Sequence, residues 1–86
     1  MDEQVGRLLD ALEGRDLLND TLIVFTSDHG HQTGQYGLYG KGNSTIPQNL
    51  YQDSIDIPLI VYGPEHLVAA GQVRNEFVNL YDLFPT

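Results

Sequence analysis

Apolar residues recur along this chain with two different spacings, and each spacing marks an element. Between residues 2 and 13, Val5, Leu8, Leu9 and Leu12 fall at i, i+3, i+4 and i+7. That spacing makes one apolar face of a helix. Asp2 is the expected N-cap, and Asp2 with Glu3 suits the positive end of the helix dipole. Gly14 follows the last periodic residue, where a terminating glycine is expected. Gly6, inside the helix, costs about 1 kcal/mol relative to alanine. Asn19-Asp20 is a turn signal, and Leu17 and Leu18 are expected to tuck against the helix.

The second spacing begins at Thr21-Leu22-Ile23-Val24-Phe25-Thr26. Four consecutive apolar residues without alternation predict a strand buried on both faces, as in a central parallel strand. Helix, short loop and buried strand are the αβ half of an α/β unit. Residues 27 to 53 have no clear period, and glycines at 30, 34, 37, 40 and 42 argue against a helix or long strand in the first half. Loops longer than about 15 residues are often functional. A helical turn is expected between Gln48 and Ile55. Ile57-Pro58-Leu59-Ile60-Val61-Tyr62 predicts a second strand, with Pro58 tolerated near its start and Gly63-Pro64 ending it. His66 to Gln72 form an excursion turning at Gly71, Val73 to Leu80 a short strand, and Tyr81 opens a helix.

Composition narrows the function classes. Eighty-six residues make one domain at most, with a thin core, because a chain of this size buries only about 60–65% of its unfolded surface. There is no cysteine, so a disulfide, a thiolate metal site and a cysteine nucleophile are excluded within these residues. The formal charge of −8 argues against a nucleic-acid partner and repels anionic substrates unless a local cation corrects the field. No stretch approaches the roughly 20 apolar residues of a membrane helix. Met1 is followed by acids and an amphipathic pattern, not by the basic and apolar regions of a signal peptide. Tyr81-Asp82-Leu83-Phe84-Pro85-Thr86 reads like the start of an element, so the chain is expected to be a fragment.

The chemistry-bearing residues sit where the first strand ends. Thr26-Ser27-Asp28-His29-Gly30-His31 is followed by Lys41 within Gly40-Lys41-Gly42. In open α/β sheets, ligands bind beyond the carboxyl ends of strands. A carboxylate and an imidazole are both reasonable ligands for a divalent ion. Adjacent strand residues point to opposite faces, so Asp28 and His29 can share an ion only if the chain leaves strand geometry there. On the residues alone, a solvated turn competes with half of a metal site. Lys41, the only lysine, is either an exposed loop residue or a point charge for an oxyanion. His31 and His66 read as exposed or outer residues. Tyr36, Tyr39 and Tyr51 either line a pocket or pack over a core edge.

A set of blocks in order resembles the sulfatase family of the alkaline phosphatase superfamily. The blocks are Val5 to Leu12, Thr21 to Gly30, Gly37-Leu38-Tyr39-Gly40-Lys41-Gly42, Leu50-Tyr51-Gln52-Asp53-Ser54, Ile57 to Val61 with Gly63-Pro64, and Val78 to Thr86. The resemblance covers almost the whole chain. It implies an α/β fold: a fragment of an alkaline-phosphatase-like sandwich with a central mainly parallel sheet flanked by helices. Residues 1–86 would be a partial sulfatase catalytic domain. It further implies that Asp28 and His29 ligate a divalent cation and that Lys41 contacts the sulfate group. The ion is usually Ca2+; a histidine at position 29 leaves Mn2+ or another divalent ion open. The partner implied is a sulfated small molecule or carbohydrate, bound by the full-length parent, with no nucleic acid and no membrane segment.

Three departures qualify the resemblance. Tyr36 stands where many relatives carry histidine, and Asp56 where arginine is common. The family's nucleophile motif, Cys or Ser followed by x-Pro-Ser-Arg, does not occur, since Ser27, Ser44 and Ser54 lack that context. The expectation is therefore part of a metal-dependent sulfuric ester hydrolase, inactive alone. The alternatives are a phosphate or phosphonate ester hydrolase of the same superfamily, or a non-catalytic metal- or partner-binding α/β module. An unpaired central strand also invites self-association.

Overall fold

The structure, a computed structural model, describes residues 1–42 and 45–86; Ser44 lies outside the described residues. The elements in chain order are α1 (Asp2–Glu13), β1 (Ile23–Thr26), β2 (Gln32–Thr33), β3 (Tyr39–Gly40), α2 (Gln52–Ile55) and β4 (Leu59–Tyr62), with 3-10 turns at Leu18–Asp20, Gln35–Gly37 and Leu80–Asp82. Helices and strands are thus both present, as an α/β chain requires. Among the described residues two two-stranded sheets form, β1 with β4 and β2 with β3. The β2–β3 pair is antiparallel. The broad, mainly parallel sheet expected from the sequence is not assembled among the described residues.

The chain divides into two contact units. The first comprises Met1–Val24 and Val61–Arg74. Its helix spans the residues that the apolar spacing predicts, but its caps differ from expectation. Asp2 is already helical; Met1 is the N-cap and has no capping side-chain bond. The Met1 carbonyl oxygen accepts from Gln4 N–H (3.0 Å) and Val5 N–H (3.2 Å). At the other end Gly14 stays right-handed, at φ −62°. Asp16, at φ 58°, turns the chain instead. Leu17 N–H then reaches back to the Leu12 carbonyl (2.9 Å) and Asp16 N–H to that of Glu13 (2.9 Å). This is the paired 6→1 and 5→2 pattern that closes a helix around one left-handed residue. Aspartate tolerates that conformation better than most side chains. Leu17, expected to tuck in, is exposed, and Leu18 is half-buried. Gly71, at φ 70°, makes the turn expected of it.

The second unit comprises Phe25–Ile60 and Asn75–Thr86. Residues expected to be irregular contain a small hairpin, with Gln32 opposite Gly40 and Thr33 opposite Tyr39. The helical turn expected near residue 50 is α2. The strand expected over 73–80 does not form, because residues 73–79 pair with no neighbouring strand. The helix expected at Tyr81 is a single 3-10 turn, closed at its N-terminus by a reciprocal capping box of Asn79 and Asp82. Asn79 Oδ1 accepts from Tyr81 N–H (2.8 Å), and Asp82 Oδ2 accepts from Asn79 N–H (2.8 Å).

Burial departs most from the sequence reading. No apolar side chain is buried among the described residues. Val24 and Phe25, expected to be enclosed on both faces, are each 39% exposed. In a two-stranded sheet every strand is an edge, so the apolar run has backbone partners on one side only. The buried residues are instead Gly30, Gln32, Gly42, Thr45 and Ser54. All five belong to the second unit and flank the candidate chemistry.

Candidate functional site

β1 ends at Thr26, and the chain bends through Asp28 and His29. This is the departure from strand geometry that a shared ion requires. The bend is fixed by three hydrogen bonds. Ser27 Oγ–H donates to the His29 carbonyl at 2.8 Å. His29 Nδ1 lies 2.8 Å from the Gly30 carbonyl. Gly30 N–H donates to the Ser54 carbonyl at 3.1 Å. A carbonyl oxygen only accepts, so His29 Nδ1 carries a proton in this bond, and in the neutral imidazole the lone pair is then on Nε2. That nitrogen lies 3.7 Å from Asp28 Oδ2.

The separation is one that two donors to a single divalent ion can take. Two neighbouring donors on a coordination shell of radius about 2.3–2.6 Å stand roughly 3.3–3.7 Å apart. A backbone carbonyl holding the far nitrogen of a histidine is the usual device for orienting it toward a metal. Asp28 is largely exposed, with 84% of its side-chain surface free, and so is open to such an ion. Among the described residues, no group of three His, Cys, Asp or Glu side chains comes together as a metal site. The corner therefore offers two donors.

Gly30 shows why the corner sits where it does. A Cβ there would overlap the Asp53 carbonyl oxygen and lie 2.7 Å from the Ser54 carbonyl carbon. Only glycine allows the bend to rest on the α2 backbone. Gly30→Ala is expected to lower the unfolding free energy by about 1–3 kcal/mol, the usual cost of overpacking. The denaturant midpoint of the full-length protein measures this; an unchanged midpoint would mean that the corner is not seated on α2.

Lys41 follows β3 directly. Carrying the β2–β3 register one step past Gln32 and Gly40 puts Lys41 opposite His31, two residues beyond His29. Lys41 is exposed, and among the described residues its ammonium has no hydrogen bond or ion pair. His31 is exposed, as expected. At the hairpin tip Tyr36 has a left-handed backbone, φ 55°, and stacks on Tyr51 with ring centroids 4.5 Å apart. Asp56 is held by Gln52 Nε2 at 2.6 Å. A separate cleft of about 280 Å³ is lined by Thr26, Ile57, Leu59, Phe77, Val78 and Leu80 among others. Asp28, His29 and Lys41 do not line it, so the cleft is not the site of this chemistry.

The sulfatase family profile matches residues 1–86. The chain belongs to the sulfatase family. It is 38% identical over 88 residues to an arylsulfatase of Clostridium perfringens and 40% identical over 88 residues to human N-sulphoglucosamine sulphohydrolase. It is 42% identical over 86 residues to a choline-sulfatase of Rhizobium meliloti. Each match takes in 100% of this sulfatase chain, but only 17%, 15% and 15% of those relatives. No solved structure matches it. No helix among the described residues is long and apolar enough to cross a membrane.

What the sequence missed lies behind the site. Gln32, Thr45, Asn49 and Ser54 form a hydrogen-bonded group that meets the backbone at Gly30 and Gly42. Polar residues in a glycine-rich stretch carry no sequence signal of burial, so periodicity could not find them.

Proposed function

We propose that these residues are part of a sulfatase catalytic domain, supplying two ligands of its divalent-ion site and the lysine that meets the sulfate group. The observation that carries this is the pairing of Asp28 Oδ2 with His29 Nε2, 3.7 Å apart, in a chain of this family. Asp28 and His29 would hold the ion. Ca2+ is the first expectation, and the imidazole also suits Mn2+. When bound, such an ion supplies positive charge that polarises the ester's anionic group. Lys41 adds a compact charge, its Nζ–H donating to a sulfate oxygen where charge changes during the reaction. Without local cations, a chain of net charge −8 would repel that substrate.

The substrate class is a sulfate ester of a small molecule or carbohydrate. The mainly parallel alkaline-phosphatase-like sandwich belongs to the same proposal, supported by the half-exposed apolar residues of β1 and β4. The same exposure supports self-association of the isolated chain. Its 86 residues carry no Cys/Ser-x-Pro-Ser-Arg sequence, which supports inactivity of the chain on its own.

The test is an aryl sulfate assay of the full-length protein. Turnover lost with a chelator and restored by Ca2+ or Mn2+ is the expected result. Cleavage of phosphate or phosphonate esters without sulfate esters would overturn it and favour the reading that His29 also supports. Stoichiometric ion binding with no turnover of any ester would overturn it in favour of a binding module.

A further inference from the structure

The polar group beneath the site is centred on Asn49. Its Nδ2 donates to Thr45 Oγ1 (2.6 Å) and Gln32 Oε1 (3.2 Å). Its Oδ1 accepts from Ser54 Oγ–H (2.9 Å) and Tyr51 N–H (3.1 Å). An asparagine amide has two donor hydrogens and two acceptor lone pairs, so this side chain is saturated. Three of its partners, Gln32, Thr45 and Ser54, are buried.

Each side of the group ends next to a residue of the site. Asn49 backbone N–H donates to the Gly42 carbonyl at 3.0 Å, and the single Thr45 Oγ–H hydrogen is shared between that oxygen (3.0 Å) and the Pro47 carbonyl (2.8 Å). Gly42 is the residue after Lys41. Its own packing is tight: a Cβ there would overlap the Asn49 carbonyl oxygen and stand 3.1 Å from Ser54 Cβ. On the other side Ser54, held by Asn49 Oδ1, takes the Gly30 N–H on its carbonyl. Gly30 is the residue after His29. Asn49 therefore meets the lysine arm directly through its backbone N–H, and its side-chain amide reaches Gly42 through Thr45 and Gly30 through Ser54.

We propose that Asn49 is a positioning residue for the reaction, fixing Lys41 and the Asp28-His29 corner at one separation. The inference rests on the sulfatase reading of those three residues. A lysine and an ion can stabilise the same developing charge only if both stand in place before it develops. The support is made of directional hydrogen bonds within a buried group, so its loss leaves unpaired donors and acceptors that rearrange.

The test compares Asn49→Ala with wild type in the full-length protein, at a temperature where both are folded. The expected result is a fall in kcat of about 10–100-fold, the range seen when outer partners of a metal site are removed. KM for an aryl sulfate should change little, because the lost interaction acts in the transition state. The dissociation constant for Mn2+ or Ca2+, read by calorimetry without substrate, should rise about tenfold. Wild-type kcat and ion affinity in Asn49→Ala, even with a lowered melting temperature, would overturn the proposal, as would a rise in KM alone. If wild type cleaves no sulfate ester, the sulfatase reading fails. Ion affinity then decides the positioning role: a rise of about tenfold in the dissociation constant supports it, and no rise overturns it. If Asn49→Ala does not fold, the near-isosteric Thr45→Val replaces it, with a several-fold loss of kcat expected and an unchanged kcat overturning the claim.

Discussion

Asp28→Ala in the full-length protein is expected to remove measurable binding of Ca2+ or Mn2+ and to cut kcat/KM by about a thousandfold. A bound ion contributes several kcal/mol to transition-state charge stabilisation, and each 1.36 kcal/mol is a factor of ten in rate. The substitution leaves His29 as the one remaining donor at the corner. It should leave the fold intact, because Asp28 is largely exposed and its carboxylate accepts no hydrogen bond among the described residues. Surface changes of that kind alter stability by about 0.5 kcal/mol or less. Calorimetric titration with the ion, an aryl sulfate assay and a melting curve test the three parts together. Retained ion binding at wild-type affinity would remove Asp28 from the site.

Lys41→Ala should cost about 10²–10³-fold in kcat, the usual loss when one preorganised charge stabiliser is deleted. Ion affinity should hold, since in the proposed reading Lys41 meets the sulfate and not the ion. That contrast separates it from Asp28. Lys41→Arg is expected to recover only part of the rate, because a planar fork replaces a compact point charge. Steady-state kinetics of the two variants, with ion titrations alongside, check the assignment. Equal rates in wild type and Lys41→Ala would mean that the ammonium plays no part in the chemistry.

Parts of this arrangement were legible in the sequence for a definite reason. Helix α1 follows from four leucine and valine positions on one face, and β1 and β4 from apolar runs with turn residues at their ends. The residues alone left the corner open between a solvated turn and half of a metal site, whereas the family followed from blocks in order. The helix stop was misread because glycine is the usual left-handed residue, whereas here Asp16 takes that role. Burial of the strands was misread because apolar runs report what a sheet can cover, not how many neighbours it has. The Asn49 group was invisible because hydrogen-bond saturation depends on distant residues meeting. Gln32 and Asn49 are 17 positions apart, and nothing in their local sequence links them.

That group also carries an expectation for temperature. Apolar contacts weaken on cooling, because their strength comes from water and carries a large heat-capacity change. The buried residues around the corner are amides, hydroxyls and glycines, whose exposure contributes to heat capacity with the opposite sign. Local opening at Gly30 and Gly42 should therefore have a flatter temperature dependence than opening of an apolar core. The contacts that seat Gly30 and Gly42 are thus expected to weaken less on cooling than an apolar core would.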